Sequence, residues 1–435
     1  MNELAQKIYS AFSPVPLKAD EDPDLYVSLD DVRGSGDIVH RLGETIRLAQ
    51  GAPTCQVLAG HRGSGKSTEL YRLRRELERG SPRFFVVFCT ADEDIDRNDV
   101  DFPDVLIAII RQMAAQLKER ADIELKPGYF RDRWDRLKKV LGDLEIDSLG
   151  LEAGMAKIAV AIKSSPDARL EIRKLLEPDT GNWLTAANDV IGKAVLELSK
   201  TGYDGLVILV DDLDKMVVRP HHEAGCTTDE YLFVHRSGQL TDFSCHVIYT
   251  LPLSLAYSHH EQTIKSSFGG HVPVVPMTKI ATKPPESRRY SRGYTKFQQI
   301  IEKRLQSVGA VSDDLCSARV RNELIKLSGG QPTELMTLVR EAIIAHGLPI
   351  DGNSLRRARR EGQREYARQL RNDHWPIIED VRSDGTYTRT RQSESAFREL
   401  LDSRAILQYV NDEEWYGLNP MVAALQPPTA SSSDE

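Results

Sequence analysis

Two spacings of apolar residues alternate along this chain. Phe84-Phe-Val-Val-Phe88 and Leu206-Val-Ile-Leu-Val210 are continuous apolar runs, too short for buried helices and rich in aromatic or β-branched residues. They predict buried strands. Val57-Leu-Ala59, His246-Val-Ile-Tyr-Thr250 and Val272 to Val275 are further candidates. Between them the spacing turns helical. Ile38, Leu42, Ile46 and Leu48 mark a helix over about 37–49, another runs from Ser67 to about Leu77, and a third covers about Val105 to Leu117. Residues 118–200 read as mostly helical, with breaks at Pro127-Gly128, Pro166, Pro178 and Gly181. Strands that alternate with helices predict parallel pairing and an α/β core.

The pattern changes after about residue 280. Lys283-Pro-Pro-Glu-Ser-Arg-Arg is a plausible hinge, and 295–348 is helical with one break at Gly329-Gly-Gln-Pro332. The expected organisation is a lead-in over 1–32, acidic and proline-containing, then a core over 33–280 with a helical insert at about 105–200. A helical lid follows over 290–350. Beyond it, 351–426 holds a basic helix and a helix–helix–hairpin end, with Leu407 to Val410 and Glu414-Trp-Tyr416 as strands around a turn at Asn411-Asp412. The tail 427–435 is low-complexity and expected to be disordered.

Composition narrows the classes. The chain has 435 residues, of which 40% are hydrophobic and 28% charged, enough to bury more than one core. No apolar run approaches the roughly 20 residues of a spanning helix, and no basic-then-apolar leader opens the sequence, so a cytoplasmic setting without membrane contact is expected. A net charge of −8 argues against a protein that coats nucleic acid generally. Five scattered cysteines without a CxxC fit reduced thiols.

The chemistry begins at Gly60-His61-Arg62-Gly63-Ser64-Gly65-Lys66-Ser67, which matches GxxxxGK[ST] after an apolar strand and before a helix. Such a turn points backbone N–H groups at phosphate oxygens, and the helix N-terminus adds partial positive charge. Lys66 is expected to reach the β/γ-phosphates and Ser67 to ligate Mg²⁺, with Thr68 beside it. Its partner is the strand end Val210-Asp211-Asp212-Leu-Asp214. A buried strand that ends in acids places carboxylates at the C-terminal edge of a sheet. Asp211 is expected to hold Mg²⁺ through water. Asp212 is the first candidate to orient or deprotonate the attacking water, and Asp214 the second if the chain stays extended. Thr250, at the next strand end, would bond the γ-phosphate or that water, or else be satisfied by a loop backbone.

Together these residues resemble the AAA+ and STAND (signal-transduction) P-loop ATPases over roughly 30–345. The resemblance implies a three-layer α/β P-loop NTPase with a parallel sheet, then a helical lid and a winged-helix-like domain. Val32-Arg33-Gly34 looks like the adenine-side box of such proteins, and Gly330-Gln331-Pro332 like the Gly-x-Pro of STAND lids, with Pro332 near the adenine. ATP/ADP and Mg²⁺ are the implied cofactors. The implied activity is slow ATP hydrolysis in a molecular switch that controls self-association or a separate effector or sensor protein, as in bacterial defence signalling. No guanine-selective Asn/Thr-Lys-x-Asp motif is evident. The sequence departs from the family in two places. Thr333 and Glu334 stand where a lid arginine is common, and no arginine lies between Leu251 and Pro273, where ring ATPases keep an arginine finger. Arg236 is the nearest alternative, either as a finger or as a salt-bridged surface residue.

The other reading is a DNA-acting AAA+ ATPase, similar to origin-recognition or transposition-regulator proteins. Leu355 to Arg371 carries seven arginines and two glutamates. Arg356, Arg357, Arg359 and Arg360 suit phosphate contacts. Alternatively this is a solvated helix pairing with the acidic lead-in or another subunit, with Glu361 and Glu365 spaced to pair with Arg364 and Arg368. The presumed recognition helix has only Arg398 and Arg404 against Glu394, Glu399 and Asp402, which favours internal packing over DNA. Asp92 to Asp101 lacks the glycine and closing glutamate of a calcium loop and reads as a solvated acidic loop. His221-His222 and His259-His260 lack metal-site spacing.

Overall fold

The computed structural model describes residues 3–49, 51–125, 151–221, 224–410 and 413–427. Pro127-Gly128, His222, the Asn411-Asp412 turn and the tail from 428 lie outside the described residues. The longer elements are α1 (Glu3–Ala11), α2 (Asp30–Arg33), α3 (Ile38–Leu48), β1 (Cys55–Gly60), α4 (Lys66–Arg79), β2 (Phe84–Thr90), α5 (Phe102–Ala121), α6 (Leu151–Ser164), α7 (Pro166–Leu176), α8 (Thr180–Lys200), β3 (Gly205–Asp211), β4 (His246–Leu251) and β5 (Val274–Val275). They continue with α9 (Ser291–Gln306), α10 (Ala318–Leu327), α11 (Pro332–His346), α12 (Gly352–Gln369), α13 (Trp375–Asp384), α14 (Glu394–Asp402), β6 (Ile406–Val410) and β7 (Glu414–Leu418). The chain forms two compact bodies. One comprises Val39–Ala59 and Glu69–Pro273, the other Met1–Ile38, Gly60–Thr68 and Val274–Glu435.

The first body holds the four long strands in the order β2-β3-β4-β1, all parallel, with Phe84 opposite Gly205, Val207 opposite His246 and Cys55 opposite Val247. Every residue of β4 and all but the first of β3 are buried. Both faces are therefore covered, as parallel strands require, and the arrangement is a three-layer α/β fold. Helix α5 starts from a capping box in which Asp101 and Asp104 exchange bonds with each other's backbone, with Pro103 in the first turn.

The acidic stretch 92–104 is a docking point rather than a solvated loop. Arg169 of α7 bonds Asp96 and Asp99, both at 3.0 Å, and Arg173 bonds Asp99 at 2.9 Å and also Asp104. Lys163 donates to the carbonyls of Asp92 and Glu93. Burial pushes the Asp104 carboxyl above its ordinary range, against the pull of Arg173. The acids are thus partners for the insert helices, a long-range pairing that spacing within the stretch does not reveal.

In the second body the lead-in is structured. Leu4, Ala5, Ile8 and Phe12 recur at helical spacing on α1, and Ile8 and Phe12 are fully buried with Phe297, Leu335 and Val339 of α9 and α11. Arg304 donates to the carbonyl of Ala11 at 2.7 Å. Arg340 stacks over Tyr9 at 3.9 Å. The expected hairpin is present as antiparallel β6 and β7, with Tyr409 opposite Trp415. The rings stack at 4.4 Å, and with Met277 and Leu407 they form a small core of their own. The five cysteines are free thiols. No helix among the described residues is long and apolar enough to cross a membrane.

Candidate functional site

The phosphate motif lies between β1 and α4, within the second body. Gly60, Gly63 and Gly65 have φ of 152°, 83° and 102°, values that side chains disfavour. A Cβ at Gly63 would meet Thr333 Cβ at 3.1 Å and Gln331 Oε1 at 3.7 Å. The first residues of α11 therefore stand over the turn, one on either side of Pro332, which occupies the first helical position. A Cβ at Gly60 would fall 3.1 Å from Ser64 Oγ. Ser64 Oγ and Gln331 Oε1 are both buried without a hydrogen-bond partner. Buried polar atoms of this kind call for a ligand. A glycine-rich turn at a helix start with orphaned polar atoms fits a nucleotide polyphosphate.

Lys66, at the start of α4, is buried. Its Nζ donates to the carbonyls of Gly60 at 2.6 Å and His61 at 2.9 Å, so the ammonium is parked on its own turn. Arg33, the last residue of α2, is also buried, and its guanidinium donates to Ser64 O at 2.5 Å. A Cβ on Gly65 would lie 3.0 Å from that group. Arg33 was expected beside the adenine; its side chain instead reaches the phosphate turn, because Gly34 in the left-handed region closes α2 immediately after it. From the lead-in, Leu17 N donates to Thr68 Oγ1 at 3.3 Å. Ser67, in the first turn of α4, is half-buried, whereas Arg62 is exposed and lines a groove of about 810 Å³ with α11 and α12.

His61 links the turn to the C-terminal hairpin. The backbone N–H of Gln408 on β6 donates to its Nε2 at 2.9 Å. Tyr409 OH donates to Gly329 O at 2.8 Å, and Met277 N to Gln408 O at 3.0 Å, so β6 is fixed to the turn before α11 as well. Burial, with Lys66 and Arg404 nearby, pushes the His61 imidazole down to about 3. The folded state keeps this ring neutral, while the unfolded chain protonates it near pH 6.5. Its contribution is complete above that value and is lost as pH falls. Going from pH 6.5 to 5 is expected to cost about 2 kcal/mol at this residue, at 1.36 kcal/mol per unit. Urea unfolding of wild type and His61→Asn at both pH values checks this, with a flatter acid dependence expected in the variant.

The acidic cluster belongs to the first body. β3 ends at Asp211, Asp212 turns left-handed at φ 69°, and Leu213–Lys215 forms a single 3₁₀ turn. The chain therefore does not stay extended, the condition on which the sequence makes Asp214 the second candidate. The turn itself gathers the carboxylates: Asp211, Asp212 and Asp214 are buried, with ligand atoms within 4.8 Å of one another. Three hard oxygen donors at this spacing suit Mg²⁺. Lys215 pairs with Asp212 at 2.5 Å. Thr250, fully buried at the end of β4, accepts from the N–H of Leu213 at 3.0 Å and of Asp214 at 3.4 Å. Its hydroxyl holds the acidic turn.

Arg236 pairs with Asp101 at 3.3 Å and with Glu177, and lies over the Tyr231 ring at 4.9 Å. These partners tie the start of α5 to the insert. His221 stacks on Tyr231 and His259 on His260, and the Asp211 turn alone has metal-binding geometry among the described residues.

No protein-family model matches the sequence, and no curated protein matches it. Among solved structures, the chain is similar to a Walker-type ATPase of Pyrococcus abyssi, with 14% identity and a TM-score of 0.46, covering 95% of this chain and 98% of that one. It is also similar to the ORC2 protein of Aeropyrum pernix in its ADPNP–ADP complexes, with 12% identity and a TM-score of 0.43, covering 88% of this chain and 89% of that one.

Proposed function

We propose that this chain binds ATP with Mg²⁺, hydrolyses it slowly and works as a two-state molecular switch. The observation that carries the reading is the bond from Gln408 to His61. The residue that holds β6 is also the residue whose carbonyl holds the Lys66 ammonium. A γ-phosphate entering the turn draws Lys66 off the carbonyls of Gly60 and His61, because a charged acceptor outcompetes a neutral one. That exchange reaches β6 through one residue. The carboxylates of the Asp211 turn would hold magnesium, which would screen phosphate charge. Asp212 orients the attacking water, with Asp214 as the alternative. Arg33 adds a second cation on the phosphate side of the turn.

The output is control of self-association or of a separate effector, since the sequence carries no second catalytic motif. Adenine is preferred over guanine because the guanine-selective motif is missing from the sequence. Hydrogen exchange at the Gln408 amide tests the switch. ATP with Mg²⁺ is expected to change its exchange rate at least tenfold relative to ADP. Equal rates with both nucleotides bound would overturn it.

A further inference from the structure

Helix α12 presents a row of arginines that make no ion pair among the described residues. Arg356, Arg360, Arg364 and Arg368 recur every four residues and are all exposed. At 1.5 Å rise per residue the row is about 18 Å long, with heads about 6 Å apart along the axis. Arg356 bonds the side chain of Asn353. Among the described residues, Arg360, Arg364 and Arg368 make no ion pair, and neither do Arg357 and Arg359. The sequence spacing predicts pairs from Glu361 and Glu365 to Arg364 and Arg368. These do not form: both glutamates line the groove toward α11 instead. Like charges four residues apart destabilise a helix by about 0.2–0.5 kcal/mol per pair. Three such steps in succession, with no ion pair among the described residues, favour an external anion.

The opposite face of α12 is pinned. Leu355 and Ser354 are buried, Tyr366 OH donates to Ser403 O at 3.2 Å, and Asn419 Nδ2 donates to Tyr366 OH at 3.0 Å. The row is therefore carried on a helix anchored along its length. We infer that it docks the phosphate backbone of duplex DNA. The heads step by about 6 Å along the helix axis, so a row of cations can meet phosphates in succession along a backbone. The only aromatic residue of the helix, Tyr366, is engaged on the packed side, so the row offers no stacking platform for single strands. The apolar side is already used in packing, so no apolar face remains to enter a lipid surface. The row contacts phosphates without reading bases.

The test is fluorescence anisotropy with a labelled 20-base-pair duplex, full-length protein and no nucleotide, over a range of salt. Four phosphate contacts predict a slope of log K against log salt near −3.6, from about −0.9 per contact. The Arg356→Gln/Arg360→Gln/Arg364→Gln/Arg368→Gln variant is expected to bind at least 100-fold more weakly at low salt, with a slope near zero. The corresponding fourfold lysine variant keeps the charge and is expected to keep the slope. Circular dichroism melting of the glutamine variant is expected to match or exceed wild type, since the like-charge row is relieved. Unchanged affinity in the glutamine variant would overturn the inference. So would wild-type binding to single strands, duplex RNA or anionic vesicles in preference to duplex DNA. The Lys66→Ala chain is expected to bind the duplex as wild type does, so this result stands apart from the nucleotide reading.

Discussion

Replacing Lys66 with alanine is expected to weaken ATP binding roughly 100-fold. The ammonium is buried on the glycine-rich turn, and a charge-assisted contact to phosphate there contributes about 2–3 kcal/mol, with 1.4 kcal/mol for each factor of ten. The nucleotide-free fold should survive. Lys66 Nζ donates to the carbonyls of Gly60 and His61 on its own turn, and removing the side chain also removes a desolvated charge. The effect is measured twice. Titration calorimetry reads the affinity directly. Thermal melting reads it through linkage: at ATP 100-fold above the wild-type dissociation constant, binding stabilises wild type by about 2.7 kcal/mol and the variant by about 0.4 kcal/mol. Equal ATP-dependent stabilisation of both proteins would place the nucleotide elsewhere.

The legible parts of the site are those where one local segment carries the whole requirement. Gly60 to Ser67 needs glycines for positive φ, a lysine for phosphate charge and a helix start, and all of these sit within eight consecutive residues. The place of Asp211 at the end of β3 is legible for the same reason, as the first acid after an apolar strand. The pairing of β6 with β7 follows from alternation around a short turn. Contacts made across distance leave no such trace. His61 and Gln408 are 347 residues apart, and neither residue type announces the other. Arg33 to Ser64 spans 31 residues. Its pointing depends on where Gly34 ends a four-residue helix, which propensity does not fix.

Other parts depend on partners that the local pattern does not name. The prolines and Asp20 to Asp24 of the lead-in follow a helix carried by the recurrence of Ala5, Ile8 and Phe12. The acids from 92 to 104 carry a local charge pattern that is the same whether they face water or the arginines of α7. Gln331 and Thr333 flank Pro332 and are the residues that approach Gly63. Thr250 was placed correctly at a strand end beside the acids. Its bonds to Leu213 and Asp214 show that the hydroxyl is spent on backbone, the more modest of the two roles its position allowed.

Asp212→Asn is expected to lower the ATP turnover rate at least 100-fold while leaving the dissociation constant for ATP within about threefold. The substitution suits the backbone, because asparagine tolerates the left-handed φ of 69° that Asp212 adopts, so the turn to Leu213–Lys215 should persist. Thr250 continues to hold that turn through the amides of Leu213 and Asp214, independently of the side chain at 212. What is lost is the negative charge. An amide neither accepts a proton from water nor balances the Lys215 ammonium now 2.5 Å away. General-base assistance contributes about 10²–10⁴-fold, which sets the lower bound of the expected loss. ATP binding changes little because the phosphate turn, Lys66 and Asp211 are untouched. Steady-state phosphate release, measured beside Lys66→Ala as the inactive blank, gives the result. Turnover equal to wild type would move the water-orienting role to Asp214, whose carboxylate belongs to the same cluster, and Asp214→Asn would then show the loss instead.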